Sequence, residues 1–178
     1  MSTFVIKNLE INILDERSIQ DAIDYVEGLK AGLATALARF CEELTFEGQK
    51  IAKAEIERLG AIDSGTLHES IDRDYENHTG YVFTNNEYAI YVEFGTGVVG
   101  AGNPHPLLSS GDYDLNNHGD SGWVYQTDEE HAMFTAKDGT PLAWTKGMPQ
   151  RPYMYNTFRQ LFDMAEQTGG RAIIRYIP

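Results

Sequence analysis

Along the first third of the chain, apolar residues recur every three or four positions: Ile19, Ile23, Val26, Leu29, Leu33, Leu37, Phe40 and Leu44. That period places them on one stripe of a long amphipathic helix. Ser18 is the expected N-cap, with Asp21 in the first turn near the positive end of the helix dipole. Phe46-Glu47-Gly48 is expected to loosen the helix, Ile51, Ala52, Ile56 and Leu59 resume the stripe, and Gly60 marks its end. The stripe is close to heptad spacing, but a core helix is favoured over a coiled-coil seam. Ahead of it, Leu9, Ile11 and Ile13 fall on one face of an extended segment, so residues 1–17 read as a short strand or ordered arm.

Beyond Gly60 the periods shorten. Residues 63–70 form a turn with a short helical start at Ser64. Residues 71–77 and 81–84 read as a hairpin joined through His78-Thr79-Gly80. In 87–94, Tyr88, Tyr91 and Val92 share a helical face, which predicts a short helix ending at Gly95. Residues 96–147 differ in texture: the run from Gly95 to Gly147 holds 9 of the 17 glycines and three of the five histidines. Within it, 97–102 and 111–122 look like loops. Trp123 to Gln126, Ala132 to Thr135 and Leu142 to Thr145 are short strand candidates, with Asp138-Gly139 a turn between the last two. This stretch has too little apolar content for a core of its own, so it reads as an insertion in one domain spanning 1–178. Pro152 suits the first turn of a second amphipathic helix carrying Tyr153, Met154, Phe158, Leu161, Phe162 and Ala165. That helix is expected to stop near Gly169-Gly170, with an edge strand in 171–178.

Charge narrows the classes of partner. The 178 residues carry a formal net charge of −13, with 42% hydrophobic and 23% charged positions, the composition of a globular domain. Residues 1–60 contribute −4, 61–95 contribute −6, 96–147 contribute −5, and 148–178 contribute +2. Such a chain is a poor ligand for free nucleic acid or an anionic membrane surface. No apolar run reaches the roughly 18 residues of a membrane span, and the N-terminus lacks the pattern of a secretory signal. The separated signs suit head-to-tail pairing with copies of the chain or with a partner of opposite sign. The single cysteine, Cys41, fits a reducing compartment and, lying in the helical stripe, a structural thiol.

Catalytic signatures are missing from the sequence. There is no phosphate-binding glycine loop with its lysine, no dinucleotide fingerprint around Gly95, Gly97 and Gly100, and no nucleophile elbow. His105, His118 and His131, with Asp112, Asp114, Asp120 and Asp128, would be the ligands of a metal-dependent hydrolase, but their spacing matches no compact ligand pair. Solvated loop residues are the better reading, and no cofactor or metal is expected. The density of Tyr88, Tyr91, Phe94, Trp123, Tyr125, Trp144, Tyr153 and Tyr155 points instead to an interaction protein, because Tyr, Trp and Arg are enriched at protein interfaces.

Three segments carry a family resemblance: Asp63 to Ile71 after the long helix, Tyr88 to Gly97 with its Tyr-Val-Glu-Phe-Gly-Thr, and Gly147 to Asn156 with its Arg-Pro-Tyr-Met. In this order they resemble the tail-completion, or head–tail joining, proteins of long-tailed bacteriophages and prophages, over about residues 18–168. The resemblance implies an α+β fold: a long N-terminal helix and a C-terminal helix packed on a small antiparallel sheet, with a Gly-rich loop and hairpin insertion. It implies a structural virion protein at the neck and no catalysis. The partners implied are further copies of the chain, in a sixfold ring, with the head connector and the tail tube or tail terminator proteins, and no membrane. DNA is only a transient passenger, and host cytoplasm is the place of assembly. A related tail terminator or minor tail protein is the neighbouring alternative. The expected interaction residues are Tyr88, Tyr91, Glu93, Phe94, Gly95, Thr96, Gly97, Arg151, Pro152, Tyr153 and Met154, with Glu93 and Arg151 expected to pair. An acidic lumen would repel phosphate, so Asp72, Asp74 and Glu76 are expected to face the channel.

Overall fold

The computed structural model describes residues 11–109 and 122–176. Its element order is α1 (Glu16–Arg58), α2 (Thr66–Ser70), β1 (Ile71–Glu76), β2 (Thr79–Thr84), α3 (Ala89–Phe94), α4 (Gly97–Gly102), β3 (Trp123–Gln126), β4 (Phe134–Thr135), β5 (Pro141–Thr145) and α5 (Tyr153–Tyr176). This is an α+β chain of two long helices and small antiparallel sheets.

α1 is one unbroken helix of 43 residues. It begins three residues earlier than the Ser18 cap would place it: Asp15 is the N-cap, its carboxylate accepting from the Arg17 amide at 3.0 Å. The Ser18 hydroxyl instead accepts from the Asn12 amide. Both residue types cap well, and the Asn12 contact leaves Asp15 the one positioned for the role. Residues 11–14 are coil and turn, so the expected strand is absent there; the rest of that arm, residues 1–10, lies outside the described residues. Gly48 does not loosen the helix. It is a buried contact point, where an added Cβ would come within 2.9 Å of both Leu161 and Val82. At the C-terminus the Gly60 amide bonds Glu57 O and the Ala61 amide bonds Ile56 O, a Schellman closure with Gly60 at φ +60°.

β1 and β2 pair in register from Ile71↔Thr84 to Glu76↔Thr79. The connection is the two residues Asn77-His78, both at positive φ, so Thr79 and Gly80 belong to the strand rather than to the turn. A two-residue turn of this kind matches the twist of the flanking strands better than the wider loop that the glycine suggests. Gly80 has its own reason for lacking a side chain: a Cβ there would collide with the Thr45 hydroxyl of α1. The second sheet has the order β3-β5-β4, and the predicted Asp138-Gly139 turn links β4 to β5. Of the strand expected over 132–135 only Phe134 and Thr135 pair. Residues 97–102, expected as loop, form the short helix α4.

α5 passes through Gly169-Gly170 and reaches Tyr176, so no edge strand forms in 171–176; residues 177–178 lie outside the described residues. A helical glycine costs about 1 kcal/mol, less than the gain from packing on α1, where Gly169 lies against the Phe40 ring. The two long helices run antiparallel: Asn156 and Gln160 of α5 reach Glu55, Leu161 reaches Gly48, and Gly169 reaches Phe40. The core lies where α1, α2, β1, α3 and the start of α5 converge, on Ala52, Ile56, Leu67, Ile71, Ala89, Val92 and Tyr153.

Glu55 is a buried carboxylate on the inner face of α1. It accepts from Arg58 at 2.6 Å and from the side-chain amides of Asn156 and Gln160 at 2.9 Å. The Arg58 bond, aided by the two amides, holds its carboxyl below the ordinary range against the opposing effect of burial. A depressed folded-state pKa means the contribution is present above the ordinary value and lost as pH falls through the depressed one. Thermal stability is therefore expected to drop between about pH 5 and pH 3. Melting curves of Glu55→Gln should lack part of that drop while showing a loss of about 1–2 kcal/mol at pH 7.

Candidate interaction site

The segments Tyr88 to Gly97 and Gly147 to Met154 meet and form one junction. α3 ends at Gly95, whose φ of +76° turns the chain and whose backbone lies against residues 148–150; a Cβ would sit 2.7 Å from the Gln150 amide nitrogen. One residue on, the Thr96 amide donates to Met148 O at 2.9 Å, and the Met148 amide donates back to the Thr96 hydroxyl at 3.1 Å. Gly147, at φ +101°, lies so close to Thr96 O that no side chain fits. The two ends of the 96–147 insertion are thus closed on each other by backbone contacts.

Glu93 completes the junction. It is 6% exposed, and its two carboxylate oxygens accept from the Met154 amide at 2.8 Å and the Tyr155 amide at 2.9 Å. The first four amides of a helix have no partner inside it. Here the Tyr153 amide bonds Arg151 O, Met154 and Tyr155 bond Glu93, and Asn156 starts the ladder on Pro152 O, so all four donors are satisfied. A negative charge at this helix end also complements the dipole. Glu93 further contacts buried His105 Nε2 at 3.2 Å, and the His105 ring packs on Phe94 and Tyr155 with centroids 4.5 and 5.4 Å away. Burial, then the Glu93 carboxylate, pushes the Tyr153 hydroxyl well above its usual range.

Glu93 is therefore not joined to the Arg151 side chain as expected. Arg151 meets α3 through its backbone, its amide donating to Val92 O at 2.8 Å. The carboxylate goes to the helix amides because those donors are half-buried and have no partner within the helix, whereas a guanidinium can remain in water. The predicted interaction residues separate into two groups. Glu93, Gly95, Gly97 and Tyr153 are buried and hold the junction; Phe94, Thr96, Pro152 and Met154 are half-buried around it. Tyr88 and Tyr91 are exposed and, with Arg151, Met148 and Ile62, line a cleft of about 340 Å³.

Asp72, Asp74 and Glu76 alternate along β1 and are all exposed on one face of the hairpin, with Arg73 and Tyr75 turned the other way. Arg73 reaches Gln49 of α1, which identifies the acidic face as the one directed away from the helix. Of the histidines weighed as metal ligands, His105 is in the junction and His131 is an exposed partner of Asp128 at 2.7 Å. His118, Asp112, Asp114 and Asp120 lie outside the described residues. Among the described residues no three His, Cys, Asp or Glu side chains converge as a metal site. Sequence reasoning passed over Glu55 and the true role of His105. An acid at position 55, between the buried Ala52 and Ile56, was the available signal for the first.

Removing the carboxylate should expose how much the junction depends on it. Glu93→Ala removes the acceptor of two half-buried helix amides and the Glu93 contact of His105, a loss of about 3 kcal/mol in chemical denaturation. A glycine pair gives an independent check. Gly147→Ala forces a Cβ into Thr96 O and is expected to cost about 4 kcal/mol. Gly139→Ala, also at positive φ but with open space around it, should cost only about 1 kcal/mol.

The described helices include none long and apolar enough to cross a membrane. Neither a curated protein nor a solved structure matches the chain. Residues 23–95 match a family model described as "Bacteriophage HK97-gp10, putative tail-component". The matched segment runs from the first turns of α1 to Gly95, taking in the hairpin and the Tyr-Val-Glu-Phe motif that ends on the junction. Over that segment the chain is similar to the HK97-gp10-like putative tail components of bacteriophages.

Proposed function

We propose that the chain is a tail-completion, or head–tail joining, protein that forms a ring at the phage neck, between the head connector and the tail tube. The observation that carries this reading is the apolar surface that the described residues of the single chain leave uncovered: Ile19, Ile23, Val26, Leu33 and Leu37 of α1 are all exposed, as are Phe158 and Phe162 of α5. A chain that buries itself this incompletely is built to be covered by other chains.

The acidic face of β1 supports a place along the DNA path. Asp72, Asp74 and Glu76 present three carboxylates in a row, spaced two residues apart on an exposed strand. Facing a lumen, they repel the phosphate backbone and keep DNA from adhering as it passes. The basic 148–178 segment then faces a protein neighbour, either another copy or the connector and tail proteins.

Disrupting the gene in a producing phage tests the reading. The expected result is DNA-filled heads and separate tails, which join when purified protein is added to the mixture. Complete joined particles lacking the chain, or labelled chain located at the far tip of the tail, would overturn it.

A further inference from the structure

The β1–β2 hairpin has two outer edges, and they differ. The pair Glu76–Thr79 that closes the two-residue turn is hydrogen-bonded, and bonded pairs alternate along an antiparallel ladder. The backbone groups of Ile71, Arg73 and Tyr75 on β1, and of Gly80, Val82 and Thr84 on β2, therefore point outward. The β1 edge is covered. Asp72 accepts from the Arg73 amide at 2.8 Å, Asp74 accepts from the Tyr75 amide at 2.7 Å, and the Gln49 side-chain amide donates to Ile71 O at 3.0 Å. Charged side chains folded over an edge in this way keep other strands off it. On β2 the outward backbone groups of Gly80, Val82 and Thr84 have no hydrogen bond among the described residues, and the strand holds no charged side chain. The same three residues line two cavities, of about 320 Å³ at Gly80 and Val82 and about 510 Å³ at Thr84. The cavities share Met154 and Phe158 of α5, so one apolar-walled trough runs beside the open edge.

We propose that residues 3–9 of one copy add to the β2 edge of the next copy as a third strand, lying in this trough. An edge of unpaired amides and carbonyls selects an extended backbone, and apolar walls select apolar side chains. Residues 3–9, Thr-Phe-Val-Ile-Lys-Asn-Leu, hold Phe4, Val5 and Ile6 in succession, types that favour strands, and Leu9 beyond them. Their one charge, Lys7, is opposite in sign to Glu87 and Glu93, and the described lining of the trough holds no Lys or Arg. Ile11, Ile13 and Leu14, which lead from this segment into α1, are 52%, 79% and 92% exposed, so its base is not packed on its own chain. Reach makes the occupant a second copy. Thr45, which meets Gly80, lies about 45 Å along α1 from the Asp15 cap. The stretch from Leu9 to Asp15 spans at most about 21 Å, too short to return to the edge of the same chain.

The contact joins two different parts of the chain, so it is heterologous and repeats from copy to copy, closing as a ring or extending as a filament. It does not depend on the neck position: it assigns the subunit contact wherever in the particle the chain sits. It also differs from pairing of two β2 edges, which would join one surface to itself and stop at two chains.

Two experiments on the full chain separate these cases. In the first, amide hydrogen exchange is followed by NMR at about 1 mM, where weak contacts are populated. The amides of Gly80, Val82 and Thr84 are expected to exchange at least about tenfold more slowly in the wild type than in a chain carrying Val5→Pro and Ile6→Pro. Adjacent prolines remove a donor whichever edge of the segment meets β2. A synthetic peptide of residues 3–9, added in excess to the proline chain, should restore the slow exchange. Val5→Asp with Ile6→Asp is the second variant, used if the proline chain melts early. The second experiment uses Cys41, which lines the trough. Chains carrying Phe4→Cys, Val5→Cys, Ile6→Cys or Leu9→Cys, each with Cys41→Ser and a size tag, are mixed with untagged wild type under mild oxidation. Disulfide-linked pairs of one tagged and one untagged chain are expected from at least one position, and the peptide should suppress them. Exchange that is fast in both chains, exchange that is slow in both as pairing of two β2 edges requires, or the absence of mixed pairs from all four positions would overturn the proposal.

Discussion

A carboxylate placed against the open end of a helix organises this molecule. Glu93 lies at the end of a six-residue helix that would not persist alone, and α5 begins with amides that its own ladder cannot satisfy. Each meets the other's need across 61 positions of sequence. Once that contact exists, Tyr153 is placed in the core and Asn156 and Gln160 are turned toward Glu55. The antiparallel course of α5 along α1 then follows, with Leu161 set on Gly48. The helix that looks like a simple amphipathic element is thus aimed by a side chain from the middle of the chain.

The same two carboxylates explain how an acidic protein keeps acid in its interior. Glu55 and Glu93 are both buried, and each is surrounded by donors: Arg58 and two side-chain amides for one, two main-chain amides and His105 for the other. Burying a carboxylate is costly unless its lone pairs are met. Here two of the donors come from α5 in each case, so the polar contacts fix the register of the helix pair where apolar packing, which tolerates sliding, would not.

Legibility in the sequence followed the range of the interactions. The α1 stripe, the Gly60 stop, the hairpin, the short helix ending at Gly95 and the Asp138-Gly139 turn all depend on neighbours within a few residues, and all could be read. Gly48, Gly80 and Gly169 were harder, because their meaning is set by Leu161, Val82, Thr45 and Phe40 from other elements. A glycine read locally signals weakness; read in three dimensions it marks where a side chain of another element packs on the backbone. The junction was legible as a meeting of Tyr88 to Gly97 with Gly147 to Met154, but not in its chemistry. Side-chain charges suggested Glu93 with Arg151, while the true donors are amides that exist only once α5 has formed. His105 attracted attention as a ligand because histidine is versatile, and its burial between Phe94 and Tyr155 has no signature in one sequence.

The closure of Thr96 on Met148 and Gly147 separates what the chain must keep from what it is free to vary. The entry and exit of the 96–147 segment are fixed at one point, so lengthening the segment changes its closure entropy only slowly, by about 0.6 kcal/mol per doubling. Neither long helix would have to move. The segment behaves like a socketed attachment: its part beyond the His105 contact can lengthen or shorten while the two-helix frame that carries it stays the same.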